Sequence, residues 1–381
     1  MTHRICIHSN VRVKKTVSAE DLMTCCYTCG YGGDGGYLYQ SWSYWVESGI
    51  ATGGFVLINR MKLAIVVVVV VALAIAQAAA SPKILTKEFI DSINERQNSW
   101  TAGQNFDENM SRAHMKSLLG LKEDFRKNRL PALTHVDVDV PETFDAREQW
   151  PDCKSIGQVR DQSVCGSCWA LGAAEAMTDR ICIHSDGKVK KTVSAEDLMT
   201  CCSFCGDGCD GGYLYPSWTY WMESGIATGG GYNTSDCEHH TTGSKPTCGD
   251  SQPTPACVKK CDDSSMNYKE ELTFGKSVYS ITGPKQIQIE IMKNGPVEAA
   301  FNAYEDFLLY KKGVYKHLEG EYLGGHAIKI LGWGVENDTP YWLIANSWNE
   351  DWGDQGYFKI LRGKNHVGIE GEVVAGLPKL D

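Results

Sequence analysis

An α+β protein is predicted by three features of this 381-residue sequence. A helix-forming run follows Cys168, further helix signatures lie near residues 194–201, 213–223 and 285–293, and from Val297 onward apolar and aromatic runs alternate with glycine-rich turns. Helices first and strands afterwards is the order of an α+β chain.

Each element has its own warrant. Ala170, Leu171, Ala173, Glu175 and Met177 are strong helix formers, and nothing breaks the run until about Asp179, so Cys168 falls in the first turn of a helix. Ser194 with Asp197, ahead of Leu198 and Met199, reads as a capping box in which Asp replaces the usual Glu or Gln. Residues 213–223 suggest a third helix. Residues 285–293, after Pro284, suggest another that stops at Asn294, Gly295 and Pro296. Gly324 to Ile328 and Ala345 to Trp348 lie in apolar runs that read as strands or their ends. Nearer the N-terminus, Phe89, Ile90, Ile93 and Trp100 are spaced for one amphipathic helix in a segment with no core of its own.

The composition sets bounds. A hydrophobic fraction of 43% is ordinary for a globular protein, and a net charge of −10 excludes nucleic acid or an anionic membrane as a main partner. Sixteen cysteines without a metal motif point to disulfides in an oxidising compartment.

Residues 2–54 repeat residues 178–230 at a constant offset of 176, with about eleven differences. The copy starts and stops inside a domain, and Gly33 stands where Cys209 stands in the complete version. Residues 1–60 are therefore expected to be a partial duplicate of 178–230 plus a junction, joined by an error of gene assembly. Met61 and Lys62 ahead of the Val-rich run, with small residues at Ala76 to Ala80, read as a signal peptide over 61–80 rather than a membrane anchor. Residues 81–139 follow as a prosegment and 140–381 as the mature domain. N-x-S/T triplets occur at Asn109, Asn233 and Asn337.

The chemistry centres on Cys168 within Cys165, Gly166, Ser167, Cys168 and Trp169. A helix N-terminus favours thiolate over thiol, and the thiolate is the nucleophile. His326 is a candidate base, Asn346 a candidate to fix its ring and tautomer, and Gln162 a candidate oxyanion donor beside the Cys168 backbone N–H. Cys165 and Cys168 are also a C-x-x-C pair, which leaves a redox couple or half a zinc site as alternatives. Neither the following chain, which shows no βαβ pattern, nor the distant His and Asn favours them.

With these residues and the further runs 144–150, 160–162, 205–212, 237–240, 332–337 and 346–349, the chain from about Ser81 to Asp381 resembles the papain-like cysteine peptidases, in particular their cathepsin B branch. The resemblance implies a papain-like fold in which a helical left domain and a β-barrel-like right domain flank the active-site cleft. It also implies a peptidase using Cys168, His326, Asn346 and Gln162, with no cofactor and no metal, made as a proenzyme whose prosegment lies through the cleft in reverse polarity. Protein and peptide substrates, the chain's own propeptide and cystatin-type inhibitors are the implied partners, and the lysosome or extracellular space the implied location. No stable membrane insertion is expected after signal removal.

Finer expectations come from the same resemblance. Gly211 and Gly212 would form a backbone platform for substrate, Trp348 would shield the Asn346–His326 bond, and Glu372 would sit at the base of the second subsite. His239 and His240 would hold a substrate's C-terminal carboxylate from an occluding loop anchored by His239 with Asp161 and Lys245 with Asp351, giving peptidyl-dipeptidase activity. The loop's upstream arm is shorter here by roughly nine residues. The implied disulfides are Cys153–Cys182, Cys165–Cys209, Cys201–Cys257, Cys202–Cys205 and Cys237–Cys248, which leaves Cys261 over.

Overall fold

The computed structural model describes residues 84–122, 130–230, 238–239 and 253–380, the pair 238–239 by backbone only. Residues 1–60, the apolar run 61–80, His240, Lys245 and the pair Cys237–Cys248 lie outside the described residues, as does the side chain of His239.

The N-terminal segment opens with α1 (Lys87–Arg96), capped by the Thr86 hydroxyl, which accepts from Phe89 N. The expected single helix through Trp100 is corrected. The Gln97 side-chain oxygen accepts from the backbone N–H groups of Ser99 and Trp100, a local turn that ends the helix, and Trp100 belongs to β1 (Trp100–Ala102). Helix α2 (Arg112–Ser117) follows, capped by Ser111. The segment has no separate core: Ile93, Trp100, Met115 and Leu118 are buried in a cluster shared with the strands of the C-terminal half.

Strand β2 (Phe144–Asp145) and α3 (Ala146–Gln149) lead to α4 (Cys168–His184). Cys168 is the first residue of α4, and the helix runs past Asp179 because nearly its whole surface is buried. Periodicity cannot mark the end of a helix whose every face is covered. Ser194 caps α5 (Ala195–Cys201) by accepting from Asp197 N, and α6 is Leu214–Glu223. The Asp197 carboxylate does not reach back to the cap. It accepts from Ala227 N at 2.9 Å and from the Tyr268 hydroxyl at 2.7 Å.

Strands β3 (Ile226–Ala227), β4 (Gly229–Gly230), β5 (Glu238–His239) and β6 (Leu272–Ser280) precede α7 (Pro284–Asn294). Pro at the start of α7 and Gly295 at φ +98° after it are the expected punctuation. Then come β7 (Val297–Tyr304), β8 (Tyr310–Tyr315), β9 (Tyr322–Glu336), β10 (Thr339–Ala345), β11 (Tyr357–Leu361) and β12 (Val373–Lys379).

Ten strands form one sheet in the order β1-β8-β11-β10-β9-β7-β12-β6-β3, with β2 on β9. The α+β class holds, but the sheet is not closed into a barrel. The free edge of β8 is taken by β1 from the N-terminal segment, antiparallel, and the far end of the path is the two-residue β3. Among the described residues no strand joins the two ends. Disulfides join Cys153–Cys182, Cys165–Cys209, Cys201–Cys257 and Cys202–Cys205. Cys261 is disulfide-bonded as well, which corrects the expectation that it is left over.

The two halves are pinned by a buried ion pair. Arg180 of α4 and Glu290 of α7 are both fully buried and meet at 2.8 Å, and the guanidinium also donates to the carbonyls of Gly295, Pro296 and Gly376. Burial raises the Glu290 carboxyl, but Arg180 and the surrounding donors outweigh it and hold the group below its ordinary value. Arg180→Met is expected to cost about 3–5 kcal/mol by stranding that carboxylate, read as a lower urea midpoint. An unchanged midpoint would show that the pair is not a structural tie.

Candidate active site

Cys168 sits where α4 packs against β9 and β7, and its sulfur is the one free thiol among the described residues. His326 lies on β9, Asn346 follows β10, and Gln162 precedes α4. All four are buried. His326 Nε2 and Asn346 Oδ1 are 2.7 Å apart, and Oδ1 also accepts from Ser347 N at 2.9 Å. An amide oxygen that accepts requires the proton on Nε2, so Nδ1 carries the lone pair. That nitrogen is buried and without a hydrogen bond. The N–H of Ala327, the residue after His326, reaches the Cys168 sulfur, which brings the helix and the strand to one place.

The N-terminal segment fills this place. Gly120 N donates to Cys168 Sγ at 3.2 Å, and Gln162 Nε2 donates to Leu118 O at 2.9 Å. Lys122 N donates to Gly212 O at 2.9 Å, Gly212 N to Gly120 O at 2.8 Å, and Leu121 N to Gly325 O at 3.1 Å. Residues 120–122 are thus held from both walls, with Leu121 bridged parallel to the chain at Gly212 and antiparallel at Gly325. Glycine is required at two contacts. A Cβ on Gly120 would come within 1.7 Å of Gly166 O, and one on Gly212 would meet the Trp169 ring at 2.5 Å. Gly211, at φ +100°, lies against the Gly120 carbonyl.

Electrostatics follow from the cover. Burial pushes the Cys168 thiol up to about 11, against the N–H groups of Ala327, Gly120 and Trp169, which favour the thiolate. Burial likewise pushes the His326 imidazole down to about 4, against the hydrogen bond it donates to Asn346 Oδ1. Both are therefore neutral over the whole middle range of pH.

Around them, the Trp348 ring centroid is 4.7 Å from that of His326, and Phe106, Phe307 and Trp352 pack on Trp348. Glu372 is half-buried, and its carbonyl accepts from Ala300 N. It lies near Glu298, a fully buried carboxyl raised well above its ordinary value by burial despite a 2.6 Å bond from Trp218 Nε1. Glu298 went unnoticed in the sequence because a lone Glu in a strand carries no spacing signal. Asp161 accepts from Ser163 N, and the loop partners proposed for it and for Asp351 lie outside the described residues. A cavity of about 690 Å³ lies elsewhere, lined by Lys259, Lys260, Tyr220 and Tyr268, and contains none of the groups above. No group of His, Cys, Asp and Glu among the described residues is placed to hold a metal, and no helix among them is long and apolar enough to cross a membrane.

Comparison with known proteins bears on this arrangement. The papain family cysteine protease profile matches residues 1–56 and 140–377, and the peptidase family C1 propeptide profile matches residues 85–124. A cathepsin B-like cysteine proteinase of Schistosoma japonicum is 49% identical over 77% of this chain and 91% of its own. Cathepsin B-like cysteine proteinase 6 of Caenorhabditis elegans is 45% identical over 77% of this chain and 83% of its own. Among solved structures, procathepsin B S9 from Trypanosoma congolense matches with a TM-score of 0.70 and 37% identity, covering 78% of this chain and all of that one. Digestive procathepsin L2 from Tenebrio molitor larval midgut matches at 0.59 and 28%, covering 77% and 89%.

Proposed function

The chain belongs to the papain family of cysteine proteases, as a cathepsin B-like peptidase in its proenzyme form, and from that premise we propose how its residues divide the work. Cys168 is the nucleophile and His326 its base, oriented by Asn346 through the Nε2 bond. Gln162 Nε2 and the Cys168 backbone N–H stabilise the oxyanion. The thiolate adds to the scissile carbonyl carbon, and the tetrahedral adduct collapses as imidazolium protonates the departing amine. Water, deprotonated by the imidazole, then releases the acyl group as a carboxylic acid and restores the thiol.

The observation that carries this reading is the prosegment's own imitation of a substrate. Leu118 O takes the N–H that Gln162 would offer an oxyanion, while Gly120 presents an N–H to the sulfur. The nucleophile meets a hydrogen donor rather than an electrophilic carbon, so the segment occupies the site without being cut there. Gly211 and Gly212 are proposed as the substrate's backbone partners on the same grounds, and Trp348 as the cover of the imidazole.

Active-site titration tests the assignment. A thiol-directed peptidyl epoxide is expected to label Cys168 stoichiometrically once residues 81–139 are removed, and to label the intact chain far more slowly. Labelling elsewhere, or none, defeats it.

The depressed imidazole gives the pH dependence. A ring held neutral at about 4 favours the covered form above its ordinary value of 6.5, and this contribution is lost as pH falls between the two, because the uncovered ring takes the proton first. Prosegment release, followed as the appearance of epoxide-reactive Cys168, is therefore expected to accelerate from pH 7 to pH 4. A flat profile would remove His326 from the release step.

We further propose residues 1–60 as a partial duplicate, 61–80 as a signal peptide, 81–139 as the propeptide and 140–381 as the mature enzyme in the secretory pathway, in the lysosome or outside the cell. The propeptide match at residues 85–124, the peptidase match at 1–56 and the three disulfides made by Cys182 of α4, Cys201 of α5 and Cys165 support this layout. Peptidyl-dipeptidase activity through His239 and His240, with Glu372 tuning the second subsite, completes the proposal. Sequencing the N-terminus of the purified active protein tests the boundaries, and dipeptide release from a substrate with a free C-terminus tests the histidines.

A further inference from the structure

On a chain of net charge −10, one cavity has a lining whose charged residues are all cations. It measures about 150 Å³ and lies between the helical turn Lys154–Gly157, the second half of α4 and residues 190–192. Lys154, Lys190 and Lys191 line it, and no Asp or Glu does. Cys182, also in the lining, stands on α4 about 21 Å from Cys168 by helical rise, so the cavity is separate from the cleft.

Its walls are fixed. The Cys153–Cys182 disulfide ties the helical turn to α4. Thr178 Oγ1, a further part of the lining, donates to Ala174 O at 2.6 Å and accepts from Val193 N at 2.9 Å, which binds the third segment to the same helix. Arg160 adds a cation behind this wall, its Nη2 3.4 Å from Thr178 Oγ1.

The polar groups of the lining are not all satisfied. Lys191 meets Glu271 at 3.2 Å, whereas Lys154 and Lys190 have no ion-pair partner among the described residues. The Ser155 hydroxyl is buried and has no hydrogen-bond partner. A buried hydroxyl left unpaired is costly, and beside unpaired ammonium groups the partner that suits it is an anion, to whose oxygen it can donate.

We propose that this cavity binds a tetrahedral oxyanion, phosphate or sulfate, as the free ion or as the terminal group of a monoester. A cation is repelled by the lysines, and an apolar ligand would shut ammonium groups away from water without a counter-charge. A carboxylate presents two oxygens in one plane. Four oxygens in a tetrahedron can meet donors arriving from three separate segments at once.

The test titrates the intact chain with phosphate and with sulfate at constant ionic strength, reading Tm and the heat of binding. Saturable uptake of one ion per chain is expected, with Tm rising by mass action. Lys154→Gln combined with Lys190→Gln is expected to weaken the affinity about tenfold or more, and Ser155→Ala, which alters no charge, about threefold or more. Lys188→Gln removes a charge from a nearby lysine that is outside the lining and 3.7 Å from Asp186, and should leave the affinity unchanged. Both lysines of the paired substitution are exposed, and calorimetry reads binding whatever a variant's Tm. A response that never saturates, a Tm rise matched by chloride, full affinity in Ser155→Ala, or equal weakening by Lys188→Gln and the paired substitution would each overturn the proposal. Glycerol 2-phosphate distinguishes the sources: an affinity like that of phosphate assigns the site to a monoester, and none assigns it to the free ion.

Discussion

Cys168→Ala is expected to lower peptide-bond turnover by about 10⁴-fold or more while leaving the fold in place. In the mechanism proposed above the thiol forms the acyl intermediate, and it is the one free thiol among the described residues. The structural cost is small. Cys168 takes part in no disulfide, so the Cys165–Cys209 bond beside it is untouched, and the change removes one sulfur and the acceptor it offers to Gly120 N. Turnover by the matured variant, measured beside its thermal transition, checks both halves of the statement. Activity near that of the parent enzyme would sink the peptidase mechanism as written.

Gly120→Leu should have the opposite outcome. Gly120 touches the enzyme with its backbone on every side, and its missing Cβ would stand 1.7 Å from Gly166 O, with Cys209 and its disulfide fixing the strand behind. Neither partner is the tip of a flexible side chain, so residues 118–122 must lift out. The anchoring contacts farther back, Trp100 against Tyr315 and Arg112 with Glu305 and Glu321, stay available. We therefore expect a chain that still carries its prosegment but is no longer blocked, with epoxide labelling of Cys168 in the uncleaved protein at neutral pH rising about 100-fold, equivalent to about 2.7 kcal/mol. An unchanged labelling rate would show that inhibition resides in the anchor and not in the strand across the sulfur.

The candidate site was more legible in the sequence than the segment that covers it. Cys168, His326, Asn346 and Gln162 announce themselves through short-range signals, a helix start, a glycine-flanked histidine and an Asn beside a Trp, and the fold brings them together across some 180 residues. Residues 118–122 carry no such signal. Their service is performed by backbone atoms, and Leu, Leu, Gly, Leu and Lys would suit many roles. Trp100 was misplaced for a related reason, since its apolar spacing fits a helix while the Gln97 side chain imposes a turn that spacing does not register. The open sheet escaped notice because its edge is completed by a strand from a segment whose spacing suggested only a helix.

The pairing of β1 with β8 has a consequence for the enzyme's later life. While Trp100–Ala102 lies alongside Tyr310–Gly313, β8 is an interior strand with neighbours on both sides. Maturation strips one neighbour away and turns it into a margin whose main-chain groups face water. Lys311 and Lys312 sit on that margin. Charged side chains there discourage stray strands from adding on, so the sequence already provides, during the latent phase, for the solubility of the molecule that succeeds it.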